Sequence, residues 1–522
     1  MRRIQLIQQR KSLAHLRKKM LDFGTENIKA KEEFFRGVSS LPLTDASTIV
    51  QYQDLLLFIS AYAEGKVIYN LAQEELKRIA VAAKEIFLRS NERAKARLIN
   101  SGVANTQLNV SFSYDLVKWL EEKFPDNISI FSCDADKETI QSVFISGLLK
   151  PETDRFREES FSLIQLIRKL KPDNKISDLK WLINFLINIS VSSEIRDHLY
   201  DSLKIFISLS LDESIPSLTT ARSLPRRIFF HQNGLMKKFE ALKVIQDKKI
   251  KSHKLSIERK EKLLSNSRMI LCVHQREIDP ITYANLEELE FFDMGRGIDI
   301  ALFPMIPQRK LSIESYIGYM AFKNGIPAAY GGGWIYLFHS KIGVNVFPAL
   351  RGGESSYLFC QILRLYHHHF NVKKFIVEPY QIGKNNSEGI KSGAYWFYYR
   401  LGFRSVNDEL KTLAEKEFRR ISSEKKYRSS ISVMRKMTNS NLELNLSPTE
   451  NYPDADAETL SESITQFVNS HFEGDRSLVA KVDLPESKRG KSERESILEM
   501  QQLARVAKRV EGSFMKLFRE KI

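Results

Sequence analysis

Residues 343–403 read GVNVFPALRGGESSYLFCQILRLYHHHFNVKKFIVEPYQIGKNNSEGIKSGAYWFYYRLGF, and this stretch decides the fold. A strand ends in Val346-Phe347-Pro348, and a polar turn, Arg351 to Ser356, opens a helix over Ser355 to Phe370. A second strand follows at Lys374 to Val377, then a short helix around Ala394 to Arg400. Strand, turn, helix and strand in that order predict a mixed α/β sheet. The adjacent Gly352 and Gly353 let main-chain N–H groups crowd around an anion, and a helix start adds about half a positive charge. A phosphate or pyrophosphate is the natural guest of such a turn. Glycine at a strand-to-helix turn is also explained by backbone geometry alone.

Working outward, Ile298 to Phe303, Tyr316 to Phe322, Ile326 to Tyr330, Trp334 to Phe338 and Ile342 to Phe347 read as further strands. Asn324-Gly325, between two of them, is the strongest short hairpin signal. Met269 to Val273 also reads as a strand. The α/β region is therefore bounded at about 266–410. Residues 1–265 read as a large helical N-terminal region, including apolar helices at Lys180 to Ile189 and His198 to Leu211 and a lysine-dense helix at Met236 to Leu264. Residues 411–522 read as a helical extension, with a polar linker near 438–459 and a basic helix at Glu493 to Glu520.

The Arg-Gly-Gly turn, the Phe375-Ile376-Val377-Glu378-Pro379 strand and the ending Phe397-Tyr398-x-x-x-Gly402-Phe403 resemble the GNAT superfamily of acyl-CoA-dependent N-acyltransferases. The resemblance covers about Met269 to Val406. It implies a GNAT-like mixed sheet and acetyl-CoA or another acyl-CoA as co-substrate. It further implies that the turn Arg351, Gly352, Gly353, Glu354, Ser355 and Ser356 holds the cofactor pyrophosphate through main-chain N–H groups. Asn345, Val346 and Phe347 would pair with the pantetheine arm and polarise the thioester carbonyl. Tyr398 would protonate the leaving thiolate. The chemistry fits: oxyanion stabilisation needs a fixed N–H, and a departing thiolate needs a proton donor. This chain departs from the family turn, because Glu354 and Ser356 stand where small residues are usual. A carboxylate beside a pyrophosphate is unfavourable. Either Glu354 turns away and caps the helix, or the turn takes another donor or none. The asparagine that commonly precedes the tyrosine helix is also missing; Asn385 and Asn386 lie further upstream.

Other residues earn attention beside a plain structural reading. Glu378, Glu314 and Asp299 are candidate general bases, Glu378 because it ends a strand at the presumed cleft. Glu277 and Asp279 look like turn formers that reach a substrate amine only if the cleft lies beside them. Gly331-Gly332-Gly333 allows close approach by a ligand or neighbouring chain, or marks a bulge. Trp334 and Trp396 read as core. His367-His368-His369 does not share one helix face, which argues against a metal site. Cys133, Cys272 and Cys360 are far apart in apolar runs and read as buried, inert thiols in a reducing compartment.

The chain has 522 residues, 43% hydrophobic and 28% charged, enough for a packed core and more than one domain. Its net charge of +16 and pI near 9.4 favour polyanions: nucleic acid, an anionic membrane face or a phosphorylated cofactor. A solvated basic surface is the simpler alternative. No run of ~18 apolar residues predicts a membrane span, and the basic N-terminus lacks a secretion-signal core, so a cytoplasmic location is expected. The resulting expectation is an acyltransferase that moves an acyl group from acyl-CoA to an amine acceptor. Two alternatives stand beside it. One is a transferase of the same architecture that uses aminoacyl-tRNA, held through basic helices. The other is a non-catalytic ligand-binding or scaffold protein.

Overall fold

The computed structural model describes residues 2–24, 28–89, 91–157, 161–172, 175–223, 227–309, 315–336, 338–447, 469 and 473–475. The expected helix at Glu493 to Glu520 and most of the linker near 438–459 lie outside them. The described chain is a mixture of α and β, with a large mixed sheet and many helices. It divides into two compact units. One holds Met1–Leu224, Phe230–Gly234 and Ser265–Glu277, and the other Pro225–Phe229, Leu235–Leu264 and Ile278–Ile522.

The first unit is not purely helical, as the sequence reading had it. It contains a sheet of β1 (Gln107–Val110), β2 (Ile128–Cys133) and β3 (Ile205–Ser210), in the order β1-β3-β2. The segment expected to be one helix, His198 to Leu211, is split. A helix capped by Ser192 covers Ser193–Ser202, and β3 follows with Ile205, Ile207 and Leu209 buried in alternation. That period of two outweighs the run's overall hydrophobicity. Met269 to Val273 is likewise not a strand but the end of a helix, Ile257–Val273. Met269, Cys272 and Val273 join the core formed with Leu108, Ile207 and Leu182. A short apolar run reads the same in a buried helix as in a buried strand. The lysine-dense stretch Met236 to Leu264 is also interrupted, by a short helix at Ala241–Gln246 and the edge strand β4 (Lys251–His253).

The second unit is organised by a ten-stranded sheet. Its strands are β4, β5 (Glu290–Gly295), β6 (Ile298–Phe303), β7 (Ser315–Lys323), β8 (Ile326–Tyr336), β9 (His339–Ile342), β10 (Asn345–Val346), β11 (Lys374–Val377), β12 (Arg404–Ser405) and β13 (Leu442–Asn445). Along the sheet the order is β12-β13-β11-β9-β8-β7-β6-β5-β4, with β10 paired to β8. The β7–β8 hairpin turns at Asn324 and Gly325, whose φ angles are 50° and 78°. Positive φ at both positions is the type I′ signature that Asn-Gly predicted. β13 lies within the stretch expected to be a polar linker. Leu442 and Leu444 are buried, and the strand inserts between β11 and β12. The unit therefore draws on chain both before residue 266 and after residue 410.

One feature of this sheet positions the site. β11 runs parallel to β9 over only three pairs, Lys374↔His339, Phe375↔Ser340 and Ile376↔Lys341. Beyond Lys341 the chain stays on β8, with Asn345 opposite Tyr330 and Val346 opposite Ala329, while β11 ends at Val377 and turns away. A gap opens between the two strands.

Candidate functional site

The gap has defined main-chain chemistry. The Phe347 N–H donates to the Ala328 carbonyl at 3.0 Å, which points Phe347 towards β8. In an antiparallel strand alternate residues face opposite edges, so the main-chain groups of Val344 and Val346 face the gap. The Val346 carbonyl there accepts from Arg351 Nε at 3.3 Å. The Asn345 side chain is exposed, and the Phe347 ring is buried against Tyr330 at 5.2 Å.

After β10 the chain bends through Gly352, whose φ of 85° is a left-handed conformation that glycine adopts without strain. The helix Ser355–Phe370 then starts with no side chain capping it. Its first amides have no carbonyl partner within the helix. Glu354 does not cap it; the carboxylate turns inward. Its Oε1 accepts from the Met236 N–H at 2.7 Å and from Arg296 at 2.7 Å, and its Oε2 meets Lys323 Nζ at 2.9 Å. Burial alone would raise the Glu354 pKa, but the charge and hydrogen bond of Lys323, with Met236 and Arg296, hold it down at about 2. The carboxylate at this turn is thus ionised and compensated by two cations. The Lys237 ammonium reaches the Gly352 carbonyl at 2.9 Å, and Arg351 also pairs with Glu388 at 3.2 Å. Ser355 and Ser356 are half-buried at the helix start.

Tyr398 lies on the helix Ala394–Arg400, against Phe359 of the Ser355–Phe370 helix at 5.5 Å and against Phe403 at 5.7 Å. It is buried, and burial holds its hydroxyl well above the ordinary tyrosine pKa, with a hydrogen bond to the Val344 main chain pulling the other way. The phenol therefore stays protonated at neutral pH and sits where the strands part.

On the other face of the sheet is a cleft of about 110 Å³. Tyr316, Trp334 and Lys341 are consecutive cross-strand neighbours on β7, β8 and β9. Gly343, Asn345, Glu378 and Gln381 complete the side of the cleft nearest the gap. Trp334 is therefore half-buried in a cleft wall and not core, whereas Trp396 is buried against Phe418. Glu378 is half-exposed and faces Lys341 at 3.5 Å. Gly331, Gly332 and Gly333 sit in unbroken β7–β8 register, so they do not form a bulge. A Cβ would meet the Tyr319 hydroxyl at Gly331, the Tyr316 ring at Gly332 and the Tyr366 ring at Gly333. Tyrosine rings, not a neighbouring chain, fill the space those glycines leave.

The remaining candidates disperse. Asp299 does not line the cleft; it lies on β6 opposite Asp293, and its pKa is raised to about 7 by burial and then by that neighbour's charge. Glu277 accepts from the N–H and hydroxyl of Ser113 at 3.0 and 2.6 Å, fixing a helix start in the first unit. Asp279 is exposed near the Tyr316 hydroxyl. Glu314 lies outside the described residues. His367 bonds the Val372 carbonyl at 2.6 Å and His369 meets Glu290 at 2.6 Å, so neighbouring rings have separate partners. Cys272 and Cys360 are buried, with thiols pushed up by burial, and Cys133 is half-buried. Tyr316, Lys341 and Gln381 were not singled out from sequence. Their convergence depends on the register of β7 to β9, which alternation alone does not supply.

Comparison with family models, with curated proteins and with solved structures finds no match. Among the described residues, no helix is long and apolar enough to cross a membrane.

Proposed function

We propose that the second unit is an N-acyltransferase using an acyl thioester, with acyl-coenzyme A as donor. The observation that carries this reading is the parting of β10 from β11. It leaves the main chain of Val344 and Val346 facing a gap, with Tyr398 on one face and an open cleft on the other. Although Val344 bonds the Tyr398 hydroxyl and the Val346 carbonyl accepts from Arg351, the Val346 N–H faces the gap, and such an edge donor can take an extended ligand by main-chain hydrogen bonding. A pantetheine-like arm fits that role. The uncapped start of the Ser355–Phe370 helix, entered through the bend at Gly352, offers its first amides to the pyrophosphate. Glu354 does not oppose it, because Lys323 and Arg296 compensate its charge.

In the proposed reaction the acceptor nitrogen enters from the cleft and bonds to the thioester carbonyl carbon. The oxygen gains negative charge, which the Val346 N–H stabilises. The C–S bond then breaks, and the sulfur takes the proton of the Tyr398 hydroxyl. The amine gives up its proton to Glu378 through water, and proton exchange with solvent restores the tyrosine. An amide and a free thiol result, with no covalent enzyme intermediate.

A second reading keeps the geometry and takes an aminoacyl-tRNA donor. It is favoured by the exposed Lys248, Lys249, Lys251 and Lys254 on and beside the edge strand β4. Titrations of coenzyme A and of charged tRNA at two salt concentrations separate the readings. Steep salt dependence with tRNA favours the second; tight, weakly salt-dependent coenzyme A binding favours the first.

A further inference from the structure

We propose that the cleft on the face opposite Tyr398 is the acceptor subsite, and that its acceptor is an amino sugar. The proposal deepens the acyltransfer reading and rests on it for the reaction, while the subsite itself stands on its own geometry. Tyr316 and Trp334 stack with ring centroids 3.9 Å apart and planes 3° from parallel. Tyr316 thus covers one face of the indole. Both rings line the cleft, together with Lys341, the next cross-strand neighbour of Trp334. Gly332 is what permits the pair, since a Cβ there would come within 2.4 Å of the Tyr316 ring.

A fixed, half-exposed aromatic face takes a ligand with a flat apolar side. The rim of this cleft is densely polar: Lys341, Glu378, Gln381 and Asn345 all line it. The Gln381 amide lies across Gly343, where a Cβ would be 2.8 Å from it. An arylalkylamine would use the ring and one carboxylate but neither the Gln381 and Asn345 amides nor Lys341, which is paired with Glu378, and so would forgo most of the rim's polar contacts. A linear diamine would leave the aromatic face unused. A hexosamine matches both halves: C–H groups on one ring face, several hydroxyls at the edge, and an amine as nucleophile. The cleft's small volume suits one ring seated against its open side, with the amine directed to the gap at Gly343 and Asn345. The covalent step is the one given above, with the sugar amine as nucleophile; it forms one C–N bond, breaks one C–S bond and needs no further reactant.

The test uses the full chain with glucosamine, tryptamine and cadaverine. Saturation-transfer NMR reads binding, and thiol release from acetyl-coenzyme A reads turnover. Glucosamine ring protons are expected to receive saturation, and kcat/KM for glucosamine should exceed that for the other amines by about tenfold, the ratio that 1.4 kcal/mol produces. Trp334→Ala should remove most of the sugar signal while coenzyme A affinity stays unchanged. Gln381→Ala, a change on a half-buried side chain, should weaken the sugar signal even if the tryptophan variant fails to fold. Saturation of glucosamine that depends on Trp334 or Gln381, with no coenzyme A binding, keeps the subsite and discards the donor reading. Coenzyme A binding with no glucosamine signal, or with tryptamine or cadaverine preferred, overturns the amino-sugar proposal.

Discussion

Lys323 and Glu354 form an ion pair of 2.9 Å in which both side chains are almost wholly excluded from water, 2% and 1% exposed. The pair joins the end of β7 to the residue that opens the Ser355–Phe370 helix. A lone carboxylate there would face any phosphate held by the turn. Paired with Lys323 and Arg296, it fixes the bend instead. Removing one partner of a buried pair costs about 3–5 kcal/mol, whereas replacing both can be nearly neutral. Lys323→Met should therefore lower thermal stability sharply and weaken coenzyme A binding. Lys323→Met combined with Glu354→Gln should recover much of both losses. Thermal unfolding and calorimetry on the two variants check this, and equal losses in both would show that the pair does not act as a unit.

Tyr398→Phe removes one hydroxyl from a packed aromatic cluster and should leave the fold intact. General acid catalysis contributes about 10²–10⁴-fold, so kcat should fall by about a hundredfold or more while the dissociation constant for coenzyme A changes little. Single-turnover thiol release together with a binding titration separates the two quantities. Unchanged kcat would remove Tyr398 from the reaction.

Gly352 has a φ of 85°, and nothing lies within 4 Å of a Cβ built on it. Gly352→Ala is therefore strained only through its backbone, at about 1–2 kcal/mol. The expected result is a small drop in melting temperature and a larger, selective loss of affinity for coenzyme A. A variant that loses stability but binds coenzyme A normally would show that the bend does not hold the pyrophosphate.

Asp299 makes a pH-dependent contribution away from the site. Its pKa is raised from the ordinary carboxylate value to about 7, by burial first and by Asp293 second. The folded state holds this proton more tightly than the unfolded chain, so the stability it supplies is present below about pH 4 and is lost as pH rises through about 7. Asp299→Asn should thus raise the unfolding free energy at pH 8 by an amount on the order of 2–4 kcal/mol and change it little at pH 4. Denaturation at the two pH values measures the difference; an equal effect at both would contradict the assignment.

The parts of this fold that were legible from sequence are those with local signals. Asn324-Gly325 demanded positive φ at two adjacent residues, and the turn–helix–strand order from Arg351 to Val377 carried its own periodicity. What stayed hidden depended on distant partners. Leu442 to Asn445 is four residues with two leucines in a polar stretch, and only pairing with β11 and β12 makes it a strand. Met269 to Val273 was misread because a buried helix end and a buried strand present the same apolar run. At the site, Asn345 and Glu378 do line one cleft. The meaning of Glu354 turned on Lys323 and Arg296, which no spacing rule connects to it.

Isothermal titration of coenzyme A into the purified full-length chain tests the central claim most directly. The account predicts saturable binding at one site per chain, weakened selectively by Gly352→Ala. Absence of heat together with absence of any thermal shift would contradict it.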